Sequence, residues 1–152
     1  MYLDSDAHYM DLALEEARKA EVAGEVPVGA VIVLNDAVIG SGFNQPISSA
    51  DPTAHAEVVA MRKAAGTLKN YRLRGTTLYC TVEPCMMCAG AMIHARIARL
   101  VFGTADPKAG SAGSIYNVLT DPRLNHRVEV VCGAREEECA AILREFFARR
   151  RS

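Results

Sequence analysis

No stretch of this chain is apolar enough to cross a membrane: its hydrophobic runs, residues 28–34 among them, fall far short of the about 20 residues that a spanning helix needs. Its first residues, Met1-Tyr2-Leu3-Asp4, lack the basic segment of a secretory leader. These absences predict a soluble, cytoplasmic protein with no membrane partner. Positive charge is not in excess either, with 17 Lys and Arg against 18 Asp and Glu and a net charge of -1. That balance excludes the broad basic field of an indiscriminate nucleic-acid binder, so any RNA contact must be local. The candidates are Lys69, Arg72 and Arg74, then Arg96 and Arg99, then the run Arg149-Arg150-Arg151, each also readable as a solvated or helix-end charge. A disulfide framework is missing too: five cysteines cannot all pair, and Cys85 and Cys88 sit at metal-ligand spacing, which favours a reducing compartment. Cys80, Cys132 and Cys139 fall in apolar patterns and read as small buried hydrophobes. Repeats, low-complexity tracts and linkers are absent, and 152 residues, half of them hydrophobic, suit one domain spanning 1–152.

What is present is an alternation of strand and helix patterns. Met10, Leu14, Ala17 and Ala20 share one face of a helix predicted over 5–23, with Ser5 or Asp4 as N-cap and Gly24 as its stop. Residues 28–34 and 37–42 read as a hairpin about Asn35-Asp36, and 44–53, with two prolines, as a loop. Then come a helix over 54–64, a strand over 76–82, a helix over 85–95 and a strand over 99–102. A Gly-rich loop over 103–114, a helical turn at 115–119, a strand at 128–131 and a helix over 136–149 complete the chain. Such alternation implies an α/β fold, a sheet sandwiched between helices.

Two short strings carry chemistry, His55-Ala56-Glu57 and Pro84-Cys85-Met86-Met87-Cys88. A C-x-x-C alone is a redox dithiol, half of a structural zinc site or an incidental pair, and a lone histidine says less. Together, His55, Cys85 and Cys88 supply three zinc ligands, which leaves a tetrahedral ion one position short, where a water can be activated. His55 and Glu57, two residues apart, point about 200° from each other on a regular helix, so they share a site only at a helix end. Cys85 and Cys88, at i and i+3, lie on one face of a helix that Pro84 suits as its start. Two helix N-termini would converge on the metal and favour thiolates and an ionised water. Glu57 is left uncoordinated, as a general base; a purely structural site would instead be closed by a fourth ligand, for which His94 or Cys80 is available.

H-x-E followed by P-C-x-x-C is the known signature of zinc-dependent nucleobase deaminases, so that match is recognition of a superfamily. Flanking strings narrow the resemblance: Glu25-Val26-Pro27-Val28-Gly29-Ala30, Asn44-Gln45-Pro46-Ile47, Asp51-Pro52-Thr53-Ala54, Asn70-Tyr71-Arg72-Leu73, Ala89-Gly90-Ala91-Met92-Ile93-His94 and Asn125-His126-Arg127-Val128-Glu129. Over nearly its whole length the chain resembles the bacterial tRNA-specific adenosine deaminase family. That resemblance implies a cytidine deaminase-like three-layer α/β/α sandwich with a five-stranded mixed sheet. It also implies a homodimer with one zinc per subunit and hydrolytic conversion of adenosine to inosine at wobble position 34 of a tRNA anticodon. By matching position, His55, Cys85 and Cys88 would bind zinc and Glu57 would shuttle protons. Asn44 would hydrogen-bond the flipped nucleoside, Val28 would pack on its base, Ala56 would contact it through its backbone, and Phe147 would stack on an anticodon-loop base. DNA is not expected as a natural substrate.

Each carried-over contact has a plainer reading. Asn44 also serves as a turn residue beside Pro46, and Asp106 and Lys108 either touch RNA or are solvated loop charges. Phe146 and Phe147 are adjacent, so one should face the core and the other solvent, as a stacking platform. The alternative activity is deamination of a free base or nucleoside (cytosine, cytidine or guanine) with the same zinc and Glu57. A non-catalytic zinc-stabilised RNA-binding module would need no Glu57, and zinc-held thiolates would not cycle as a redox pair.

Overall fold

The architecture follows from strands buried on both faces, whose alternate residues pack into two separate cores. In the computed structural model, which describes residues 1–151, β1 (Gly29–Leu34) pairs antiparallel with β2 (Ala37–Phe43) and with β3 (Thr77–Val82). β3 pairs parallel with β4 (Arg99–Thr104), and β4 with β5 (Glu129–Cys132), giving a five-stranded mixed sheet in the order β2-β1-β3-β4-β5. Ala30, Ile32, Leu78, Cys80, Leu100 and Phe102 face α3 (Ala56–Leu68) and α4 (Met86–Ala95). The alternate residues Val31, Val33, Tyr79, Val101 and Val131 face α1 (Asp6–Val22) and α5 (Glu136–Arg151). A sheet whose strands are apolar on both faces must be covered on both, and the result is the three-layer sandwich.

Local chemistry sets the boundaries. Asn35 and Asp36 both take positive φ (49° and 63°), the backbone that a two-residue hairpin turn requires. Gly24, at φ 78°, follows the end of α1 as expected. Gly40 and Gly42 allow β2 to lie directly under α3: a Cβ at Gly42 would stand 2.7 Å from the Ala56 carbonyl oxygen, at the first turn of the helix that carries the site.

Four expectations are corrected. The helix predicted over 54–64 starts at Ala56 and runs through Gly66 to Leu68, where Lys69 turns left-handed (φ 53°). The loop predicted over 44–53 contains one helical turn, α2 (Pro46–Ser49), whose Ile47 and Ser48 N–H groups donate to the Glu25 carboxylate. The helical turn predicted at 115–119 is absent; Ile115 and Tyr116 donate instead to the Gly110 carbonyl, and Ala112 bridges Asn117. Cys132 is exposed, because it ends the edge strand β5, whereas Cys80 and Cys139 are buried as expected.

Candidate active site

His55 and Cys85 occupy the N-cap positions of α3 and α4, both with extended backbone and with no side-chain cap bond. N-cap side chains ordinarily accept a hydrogen bond from their own helix. Here they turn away from it and meet: His55 Nδ1 lies 3.6 Å from Cys85 Sγ and 3.5 Å from Cys88 Sγ. All three donor atoms lie within 4.8 Å of one another. In a tetrahedral zinc site with Zn–S of about 2.3 Å and Zn–N of about 2.0–2.1 Å, the N···S edge is about 3.5–3.6 Å, so both N···S separations here match those of a zinc site. His94 is exposed, and neither it nor Cys80 joins the cluster among the described residues, so no fourth protein ligand closes the site.

The thiols behave as a coupled pair. A hydrogen bond from Cys88, together with the neighbouring His55, pulls the Cys85 thiol down to about 3 against the opposing effect of burial. The same bond and burial push Cys88 far up. The two sulfurs thus hold their protons unequally at the head of a helix, and a divalent cation bound there would displace protons from both. His55 is raised by its hydrogen bond to Cys85, with burial opposing. Glu57, in the first turn of α3 and 4 % exposed, has its carboxyl pushed up by burial.

A cleft of about 480 Å³ opens onto this cluster, lined among others by Val28, Asn44, His55, Glu57, Cys85 and Phe147. Cys88 is fully buried behind it. Ala56 does not line the cleft: it is buried, and its N–H donates to Asn44 Oδ1 at 2.9 Å. Because an N–H can donate only to the amide oxygen, this bond fixes the orientation of the Asn44 amide and leaves its NH₂ as a donor for the cleft. Phe146 is buried at 6 % exposure and Phe147 is exposed at 46 %, packed edge to face 5.4 Å apart, as their adjacency predicted.

Several candidate RNA cations have other work. Arg99 is buried against Asp6, Arg149 pairs with Glu21, and Arg150 donates to the Gly24 carbonyl with its guanidinium 4.8 Å from the Phe146 ring. The Arg151 side chain lies outside the described structure. Arg72 and Arg96 line a separate groove with Tyr71 and His94. Asp106 and Lys108, which the sequence offered as RNA contacts or solvated loop charges, form one wall of the cleft with Ala105, Pro107 and Ala109 of the loop after β4; the lining residue that sequence reasoning passed over is Glu83. Glu83 stands directly before Pro84-Cys85, and a charged residue predicted at the buried end of a strand was the available signal.

Residues 4–151 match the family model of MafB19-like deaminases. The chain is 52% identical over 148 residues to the tRNA-specific adenosine deaminase of Haemophilus influenzae, covering 96% of this chain and 85% of that protein. It belongs to the tRNA-specific adenosine deaminase family. A Bacillus subtilis member is 46% identical over 145 residues, 95% of this chain and 90% of its own length. A solved structure from a study of A-to-I editing by tRNA:A34 deaminases superposes with a TM-score of 0.86 at 46% identity, covering 90% of this chain and 99% of that one. The fold is therefore the cytidine deaminase-like sandwich of that family. No helix among the described residues is long and apolar enough to cross a membrane.

Proposed function

We propose that this protein converts adenosine to inosine at the wobble position of a tRNA anticodon, C6–NH₂ and water giving C6=O and ammonia, with one zinc per subunit. The observation that carries the proposal is a tetrahedral donor set with an open side, beside a buried, uncoordinated carboxyl, at the floor of a cleft. His55, Cys85 and Cys88 would hold the metal, which when bound supplies a Lewis acid that lowers the pKa of water toward neutrality. Glu57 accepts the proton of the attacking water and returns protons to the ring nitrogen and the departing amine. The Asn44 NH₂ donates to the nucleoside, held in place by the Ala56 N–H, and Val28 packs on the base.

The RNA reading is supported by the exposed ring of Phe147 and by Lys108, both of which line the cleft. Stacking on an unpaired base is worth about 1–3 kcal/mol, so Phe147→Ala should raise KM for an anticodon stem-loop about 5–150-fold with little change in turnover. Steady-state kinetics on the stem-loop check this, and an unchanged KM would remove Phe147 from the interface. A homodimeric working unit is supported by the exposed Tyr71, which lines an apolar groove with Val58, Met61, Leu73 and Ala91. A cytoplasmic location accords with free thiols.

The deciding experiment compares an ACG anticodon stem-loop with free adenosine, cytidine and guanine, with and without zinc depletion. Zinc-dependent inosine in the stem-loop alone is the expected result. Turnover of a free base or nucleoside in preference to RNA would keep the site and overturn the substrate.

A further inference from the structure

We infer that Glu83 is a positioning residue: its carboxylate holds the loop after β4 as one wall of the cleft and thereby sets the affinity for RNA. This inference rests on the wobble-editing reading. Glu83 is 3 % exposed, yet its partners are not other charges. Oε1 accepts the Asp106 N–H (3.0 Å) and the Ser114 hydroxyl; Oε2 accepts the Ala112 N–H (2.9 Å) and the Ser114 N–H (3.0 Å). All four bonds therefore come from one loop, at its two ends. Gly110 closes over the carboxylate, and a Cβ there would stand 2.3–2.4 Å from the carboxyl atoms.

The same loop forms the cleft wall. Asp106 turns its own carboxylate back on the N–H groups of Lys108 and Ala109 (3.0 and 3.2 Å), so the residues on the wall are folded over a scaffold that Glu83 anchors. A buried carboxylate with every acceptor site filled is costly to assemble and strongly orienting once assembled. Nothing in the proton chemistry assigned to Glu57 requires it. The loop's main chain does approach the metal ligands, since the Ser111 N–H donates to the Pro84 carbonyl at 2.9 Å. A role through Cys85 is thus the competing explanation, and the two differ in what they predict.

In Glu83→Gln an amide NH₂ must face N–H donors, and in Gly110→Ala the added methyl displaces the loop while leaving Glu83 and Pro84 in place. On the zinc-loaded full chain, both variants should raise KM for the anticodon stem-loop about 10–100-fold with kcat little changed. Zinc content should stay at that of wild type, and the double variant should be no worse than the more impaired of the two single ones, because both break one contact. Hydrogen exchange at the Asp106, Ala112 and Ser114 amides, read without RNA, should accelerate in Glu83→Gln. A fall in kcat or zinc content at unchanged KM would assign Glu83 to Cys85 and overturn the inference, as would unchanged exchange or additive effects. An active wild type with unchanged KM in both variants sinks only the role of Glu83; a wild type that forms no inosine sinks the wobble-editing reading itself.

Discussion

Glu57→Gln should lower turnover on the anticodon stem-loop by about 10²–10⁴-fold, the usual worth of a positioned general acid–base group, while zinc content stays unchanged. The substitution keeps the size of the side chain and removes only its capacity to exchange protons. Glu57 lies in the first turn of α3, two residues from His55, but outside the donor cluster formed by His55, Cys85 and Cys88. Losing its charge should therefore leave the ligands intact. The two measurements separate roles that deletion would confuse: metal analysis reads the site and single-turnover kinetics reads the proton transfer. Zinc loss in the Gln variant would make Glu57 a ligand or a support for one, and an active variant would take it out of the chemistry altogether.

The parts of this site that could be read from the chain are those whose geometry is local. His55 and Glu57 cannot share a helix side, so their spacing forces them to a helix end, and His55 is the N-cap of α3 with Glu57 two residues inside. Cys85 and Cys88 meet by the i, i+3 rule, and alternating apolar residues assign each strand's two faces. What could not be read depends on contacts across long separations. Glu83 reaches 23 to 31 residues along the chain for its donors, and Glu25 reaches 22 and 23 to cap α2. A local reading sees a polar run at 44–53 and a Gly-rich run at 103–114 and predicts loops, because the buried carboxylates that fold them are elsewhere. The helical turn predicted at 115–119 failed for the same reason: the backbone there answers to Gly110 and to the anchored loop rather than to its own periodicity.

Another buried carboxylate bears on stability, and Asp6→Asn should destabilise the fold by about 3–5 kcal/mol at neutral pH, the cost of breaking a buried ion pair from one side. Asp6 is fully buried, and Arg99 grips it with Nη1 on Oδ1 (2.8 Å) and Nη2 on Oδ2 (2.6 Å). Tyr79 donates to Oδ1 and the Leu3 N–H to Oδ2, both at 2.8 Å, so the carboxylate ties the start of α1 to β3 and β4. Whichever way an asparagine amide turns, its NH₂ faces two donors, and Arg99 keeps only the half-exposed Glu129, 3.6 Å from its Nε, as a counter-charge. At about 2–4 °C per kcal/mol for a chain of this size, the loss in melting temperature is about 6–20 °C.

The acid response identifies the charge as the cause. Burial alone would raise the Asp6 carboxyl, but the hydrogen bonds from Arg99, Leu3 and Tyr79 outweigh it and hold the group below its ordinary value of 3.8. An unfolded chain therefore binds a proton at Asp6 before the folded chain does. The contribution of Asp6 is complete above the unfolded value and is lost as pH falls below about 4 through the folded value. Glu25 and Glu83 are held low in the same way, so both proteins weaken in acid, but those losses are common to wild type and variant and cancel in the difference. Urea denaturation at pH 7 and at successively lower pH should show the gap between wild type and Asp6→Asn closing as Asp6 takes up its proton. A gap that stays constant with pH would mean that the asparagine costs stability through packing, and that the Asp6–Arg99 charge contributes little to it.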